Sequence, residues 1–331
     1  MSRPRLQIPP PLDRRLVFVT GKGGVGKSTV AAALGLIGAR HGRRTIVAEL
    51  GRRDDISRFL TDGDAPTTSS QYAERELSDG LWQISIDPDL AMEEYLIDQL
   101  PVPALAGRLS SSRTFSHLAA ATPGLREVVA IGKVWELAQP QRHTEGASPY
   151  DLVIVDAPAT GHGLALLAAP RVIAAATGVG PVARQARTIQ AMVSDPQITG
   201  AVVVALPTEA AVAETLELRE GIARELGLRC ELVINHVEAD RFAAADDRRL
   251  AAAQHRLDGH LREPAPTALR AARAQVARVR AQQAPVSHLC AAWDGPAAVL
   301  PALFAARLGP AQIATLASAL ESQLSGAVTA P

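Results

Sequence analysis

The chain has 331 residues, 47% of them hydrophobic and 21% charged, which is enough for one large α/β domain or two small ones. Lysine plus arginine equal aspartate plus glutamate at 34 each, so no bulk charge argues for nucleic acid or an anionic membrane. Two distant cysteines, Cys230 and Cys290, exclude a disulfide framework and supply no Cys-x-x-Cys pair for zinc.

Residues 1–13 are proline-rich, lack the apolar core of a secretory signal peptide, and read as a disordered segment. Leu16 to Val19 is a short β-prone run ending at a glycine-rich loop. A helix is expected from Ser28 to about His41, stopped by Gly42. Further short apolar runs, read as strands, fall at Thr45 to Glu49, Trp82 to Ile86, Leu152 to Asp156, Ala201 to Leu206, Glu231 to Val237 and Val286 to Ala291. Helical spacing fills most of the gaps. Thr61 to Gly80 is polar and reads as a loop or edge insertion, and Ser110 to Thr144 carries helices outside any simple crossover.

Non-alternating apolar strands separated by helices predict a doubly wound, mostly parallel sheet of seven or more strands, covered by helices on both faces. We expect a single domain over residues 14–325, with a helical insertion around 88–145 and a disordered tail at 326–331. No apolar stretch is long enough to span a bilayer, so direct insertion is not expected and the cytoplasm is the expected location.

Gly21-Lys22-Gly23-Gly24-Val25-Gly26-Lys27-Ser28-Thr29 satisfies Gly-x-x-x-x-Gly-Lys-[Ser/Thr] between a strand and a helix, the context that a phosphate-binding loop requires. Glycines let successive backbone N–H groups converge on phosphate oxygens, and the following helix points its N-terminal dipole at the same anion. Lys27 is expected along the β- and γ-phosphates and the Ser28 hydroxyl on Mg²⁺. A glycine-rich turn with a chance lysine would not need this setting.

Lys22 makes the loop similar to that of the signature-lysine P-loop ATPases: the partition, septum-site, nitrogenase-iron-protein and arsenical-pump families. That resemblance implies a dimer in which Lys22 reaches the partner's nucleotide. The bland alternative is a solvated loop lysine.

Tyr150 to Asp156 is an apolar strand ending in an acid, as a Walker B segment should, and Asp156 is expected to hold the Mg²⁺ shell. The residues that follow, Ala157-Pro158-Ala159-Thr160-Gly161-His162-Gly163-Leu164 through Pro170, resemble the Asp-Thr-Ala-Pro-Thr-Gly-His-Thr-Leu-Arg-x-Leu-x-x-Pro switch II of the arsenical pump-driving ATPase family. That family also contains the targeting factors for tail-anchored membrane proteins. Ile86-Asp87-Pro88 with Glu94-Tyr95, Pro123-Gly124-Leu125-Arg126-Glu127, Leu206-Pro207-Thr208-Glu209 and Val233-Ile234-Asn235 match its other segments in order. The match implies an adenine contact at Asn235. It extends from residue 15 to about 320 and fits best the single-domain bacterial branch, whose members include paralogous pairs.

The chain departs from the family in switch I. The Asp-x-Asp-Pro-Ala-His segment that positions the attacking water becomes Ala48-Glu49-Leu50-Gly51-Arg52-Arg53-Asp54-Asp55. Glu49 is the first candidate to replace the catalytic aspartate, with Asp54 behind it. Switch II has alanine, Ala165, where the family has arginine. The zinc clasp, Met-rich insertion and arsenite cysteines are missing, which argues against tail-anchor targeting and arsenite export.

His162 either shapes a γ-phosphate sensor or packs within its loop. His236, His288, Cys230 and Cys290 sit on expected strands and read as structural, so neither zinc nor an iron–sulfur cluster is expected. Arg270, Arg273, Arg278 and Arg280 read as a solvated helical face, because stacking aromatics are absent. Ile313, Leu316, Leu320 and Leu324 form an apolar stripe expected to pack on the core or a partner.

These features imply a slow, Mg-ATP-dependent switch working as a homodimer or as a heterodimer with a paralogue. A client or membrane partner is implied without being identified. The alternatives are a nucleotide-holding pseudo-ATPase subunit and a partition-type ATPase on DNA.

Overall fold

The computed structural model describes residues 8–61, 72–99, 124–144, 146–158, 163–242, 244–257 and 265–327. The described residues form eight strands, β1 (Leu16–Gly21), β2 (Thr45–Leu50), β3 (Arg75–Ser78), β4 (Leu81–Ile86), β5 (Leu152–Asp156), β6 (Thr199–Ala205), β7 (Cys230–Val237) and β8 (Ala297–Pro301), mainly apolar apart from the polar β3. They build one sheet in the order β3-β4-β2-β5-β1-β6-β7-β8. Every neighbouring pair is parallel except β3 and β4.

β1 shows why its sequence does not alternate. All of its residues are buried, with Leu16 and Phe18 in one apolar cluster and Val17 and Val19 in the other. A strand between two helical layers needs apolar side chains on both faces. One layer consists of α1 (Lys27–Arg40), α2 (Asp55–Leu60) and α10 (Pro310–Ala327). The other holds α3 (Pro88–Gln99), α4 (Leu125–Leu137), α5 (Gly163–Thr177), α6 (Pro181–Val193), α7 (Glu209–Leu226) and the end of α9 (Ala265–Ala292), with α8 (Ala244–Leu257) packed along α9. The stripe Ile313, Leu316, Leu320 and Leu324 lies on α10 and is buried against α1 and β8.

Both margins of the sheet have distinctive chemistry. β3 carries Arg75 and Glu76 and a register shift before Ser78. On β8, the N–H of Val299 donates to Gln323 Oε1, while Gln323 Nε2 donates to the Val299 carbonyl, both at 2.8 Å. One side-chain amide from α10 thus takes the place of a neighbouring strand.

The structure corrects several expectations. Val286 to Ala291 is not a strand but the last turns of α9, and β8 follows it at Ala297–Pro301. Val286 and Leu289 stand three apart and turn one helical face to the core, so His288 and Cys290 are exposed. His236 does lie on a strand, but it is exposed and has a positive φ of 63°. Cys230 is buried on β7. Residues 8–13, expected within a disordered segment, form a turn that buries Leu12 completely. The four arginines of the basic run are exposed along α9.

Residues 1–7, 62–71 of the polar stretch, 100–123 of the expected helical insertion (Pro123 among them), the switch II residues Ala159 to His162 and 328–331 of the tail lie outside the described residues, whereas 326 and 327, expected in the disordered tail, end α10. Among the described residues no helix is long and apolar enough to cross a membrane.

Candidate functional site

β1 ends at Gly21 and α1 begins at Lys27, so the phosphate loop spans the carboxyl end of the sheet, where doubly wound folds bind ligands. Gly24 and Gly26 have φ values of 78° and 93°, conformations that L side chains rarely adopt. Gly24 faces open space, and a Cβ there would meet nothing within 4 Å. A Cβ on Gly26 would lie 2.2 Å from Asn235 Nδ2.

Asn235 explains that crowding. From the end of β7, its Nδ2 donates to the Val25 carbonyl at 2.9 Å and ties the loop to a strand two places away from β1. The structure therefore gives Asn235 a loop-anchoring contact; the adenine contact implied by resemblance is a separate property. Gly26→Ala should cost about 1–3 kcal/mol of stability through backbone strain and displace this anchor. Thermal unfolding together with ATP titration checks it, and wild-type values in both would refute the anchoring role.

Lys27 is 4% exposed, and its ammonium donates to the Lys22 carbonyl at 2.8 Å. Burial lowers its pKa, Asp156 pulls it back up and Arg53 lowers it further. Lys22 is exposed and ion-paired with Glu214 on α7. Ser28 and Thr29 open α1, and the Ser28 hydroxyl donates to Asp156 Oδ2 at 2.7 Å. Gly23 and Val25 complete the turn, with Val25 packed into the layer beneath.

Asp156 ends β5 and is fully buried, which raises its pKa despite the Ser28 bond and the nearby cations Arg53 and Lys27. Its Oδ1 has no hydrogen-bond partner. A buried carboxylate with one unpartnered oxygen beside a hydroxyl is a hard-oxygen donor set that fits Mg²⁺. Among the described residues no cluster of three or more His, Cys, Asp or Glu could hold a metal by itself. A magnesium ion here would therefore share its coordination with phosphate and water.

Glu49 stands on β2 in register with Asp156 on β5. It is fully buried; its Oε1 accepts the Asp55 N–H and its Oε2 accepts Gln83 Nε2, both at 2.9 Å. Burial raises its pKa to about 7 against these two bonds, and Asp156 adds to the rise. Asp54, the second candidate, is held by Arg75 at 2.6 Å across to β3. The structure thus brings Lys27, Ser28, Asp156 and Glu49 to one end of adjoining strands and directs Asp54 elsewhere.

Two residues were not anticipated. Arg53 donates to Asp156 Oδ2 at 3.1 Å, and Gln83 links Glu49 to Ser85. The polar pair Gln83 and Ser85, two apart in an otherwise apolar strand, was the available signal for the second. Arg53 lies in a loop, where no periodicity marks it.

Comparison with known proteins agrees with this geometry. The family model "Anion-transporting ATPase" matches residues 14–178. ATPase BagA of Mycobacterium tuberculosis is 34% identical over 230 residues, covering 68% of this chain and 66% of BagA. ATPase ASNA1 homolog 1 of Paramecium tetraurelia is 30% identical over 160 residues (47% of this chain, 44% of the relative), and ATPase GET3C of Arabidopsis thaliana is 28% identical over 170 (48% and 42%). The chain thus spans just under two thirds of BagA and less than half of the other two. The phosphate loop, the acid at the end of β5 and the sheet order, together with these matches, place this chain in the anion-transporting, ArsA-type ATPase family.

Proposed function

We propose that the chain binds Mg-ATP at the carboxyl end of its sheet, hydrolyses it slowly, and uses the nucleotide to close and open a dimer. The observation that carries this is Asp156, buried beneath the phosphate loop, joined to Ser28 and keeping one oxygen unpartnered. Lys27 would neutralise the β- and γ-phosphates, and the loop N–H groups would orient them. Ser28 and Asp156 would hold Mg²⁺, which when bound withdraws charge from the phosphate oxygens. Glu49 would accept a proton from the attacking water.

Lys22 supports the dimer. An exposed ion pair such as Lys22–Glu214 contributes only ~0–1 kcal/mol, so it does not lock the lysine to its own chain. Lys22 would leave Glu214 and stabilise the partner's phosphates, as an arginine finger does in trans. Lys22→Ala should leave nucleotide binding to the single chain intact while removing ATP-dependent dimer closure and turnover. Sedimentation velocity with a non-hydrolysable ATP analogue, alone and with a paralogue, tests this. Wild-type closure by the variant would reduce Lys22 to a solvated loop residue.

One observation favours a second reading, a pseudo-ATPase subunit that holds nucleotide beside a catalytic paralogue. Both Glu49 oxygens are engaged by the protein itself, leaving its capacity to orient water limited. Turnover assays of the purified chain with Mg-ATP, with and without the paralogue, separate the two.

A further inference from the structure

We propose that Arg53 is a γ-phosphate sensor supplied in cis, whose guanidinium exchanges from Asp156 to the terminal phosphate of bound Mg-ATP and so distinguishes triphosphate from diphosphate. This rests on the Mg-ATP reading of the site and adds to it a residue that decides which nucleotide state closes the switch.

The starting point is a competition for one oxygen. Asp156 Oδ2 accepts the Ser28 hydroxyl at 2.7 Å and Arg53 Nη2 at 3.1 Å. Ser28 and Asp156 are the residues suited to Mg²⁺, and Asp156 is fully buried. A guanidinium and a dication on one buried carboxylate repel strongly, because water cannot screen them. A metal held by Ser28, Asp156 and the phosphates would keep its place, so the arginine side chain would be the group to move.

Its backbone is held in place. The Arg53 carbonyl accepts a bond from Ser85 Oγ, the Arg53 N–H donates to the Gly51 carbonyl at 3.0 Å, and Gly51 N–H donates to Ile86 at 2.9 Å. These bonds tether the loop to β4. The side chain is 29% exposed, so packing does not enclose it.

Nearby carboxylates offer it little. Glu49 has both oxygens occupied, Asp54 is paired with Arg75, and Asp87 with Arg52 at 2.6 Å. Asp55 faces Arg58 at 3.9 Å. The anion that adds negative charge next to Asp156 is the end of the phosphate chain lying against Lys27. A planar guanidinium binds two phosphate oxygens at once, which a lysine cannot do. ADP does not extend to that point, so the contact exists only with ATP.

The test is calorimetric titration of ATP and ADP, both with Mg²⁺, into wild type, Arg53→Ala and Arg53→Lys. Arg53→Ala should weaken ATP by about 10- to 100-fold, the worth of a charge-assisted contact, and leave ADP affinity unchanged. Arg53→Lys keeps a cation beside Asp156 and should lose only part of the ATP preference; it decides the matter if the alanine variant does not fold. Equal weakening of ATP and ADP would mean that Arg53 only supports Asp156, and unchanged binding of both would mean that it has no role; either overturns the proposal. If wild type binds neither nucleotide, the Mg-ATP reading itself fails. If wild type prefers ATP and Arg53→Ala keeps that preference, the failure is confined to Arg53.

Discussion

Lys27→Ala should reduce ATP affinity by about 10²–10⁴-fold, to below calorimetric detection, because two charge-assisted phosphate contacts are lost together. The ammonium is buried where desolvation already disfavours its charge, so the protein spends stability to keep it there. An anion recovers that cost. The fold should not suffer, since Asp156 retains both Ser28 and Arg53 as partners. The expected result is therefore a variant that melts at or above the wild-type temperature yet binds no nucleotide. A variant that binds ATP normally would remove this loop from the site.

Glu49→Gln should change the pH dependence of stability and lower catalysis. The folded-state pKa of about 7 lies above the ordinary value of 4.5. The unfolded chain therefore releases this proton first as pH rises, and the penalty grows from about pH 4.5 and is complete above about pH 7. Glutamine removes that penalty. Because the amide nitrogen cannot accept one of the bonds from Asp55 and Gln83, the variant should fall below wild type at pH 4.5 and gain on it by at most about 3 kcal/mol by pH 8. Denaturant unfolding at the two pH values measures this, and the same difference at both would show that Glu49 is not a strained buried acid.

In catalysis the carboxylate is the useful form, so wild-type kcat/KM, which reports the free protein, should rise through about pH 7. Glu49→Gln should lower turnover by ~10²–10⁴-fold with ATP affinity preserved. If the chain is instead the pseudo-ATPase subunit, both proteins are equally inactive alone and the paralogue restores both. Brisk hydrolysis by both would transfer the role to Asp55, because Asp54 is committed to Arg75.

The phosphate loop and the central strands were legible because their signals are local. The loop needs particular residue types at fixed spacing, and β1, β2 and β5 are apolar on both faces. β3 was not legible, since its Arg-Glu-Leu-Ser sequence carries no apolar signal and only pairing with β4 makes it a strand. Val286 to Ala291 misled because a run of six residues fits either period, and its helical neighbours decided the outcome. Asp156 and Ser28 were visible as motif members, whereas Arg53 becomes meaningful only when a loop folds over the end of β5. Glu49 was identifiable from its place at the end of β2, but its protonation depends on burial and on Gln83, which no spacing reveals.

The margins of the sheet bear on how two such chains can meet. An unpaired strand edge is a template for intermolecular β-pairing, and natural proteins block it with charge, bulges or covering groups. Here β3 presents charged residues and a register shift, while the Gln323 amide occupies both backbone groups of Val299 on β8. Among the described residues both margins thus carry features that disfavour recruiting another strand, which argues against a dimer made by extending the sheet. The proposed dimer would then meet at the ends of the strands, where the phosphate loop lies, and could be released without breaking a ladder of backbone bonds. Gln323→Ala should leave both backbone groups of Val299 without this cap, and light scattering should show more aggregation than wild type.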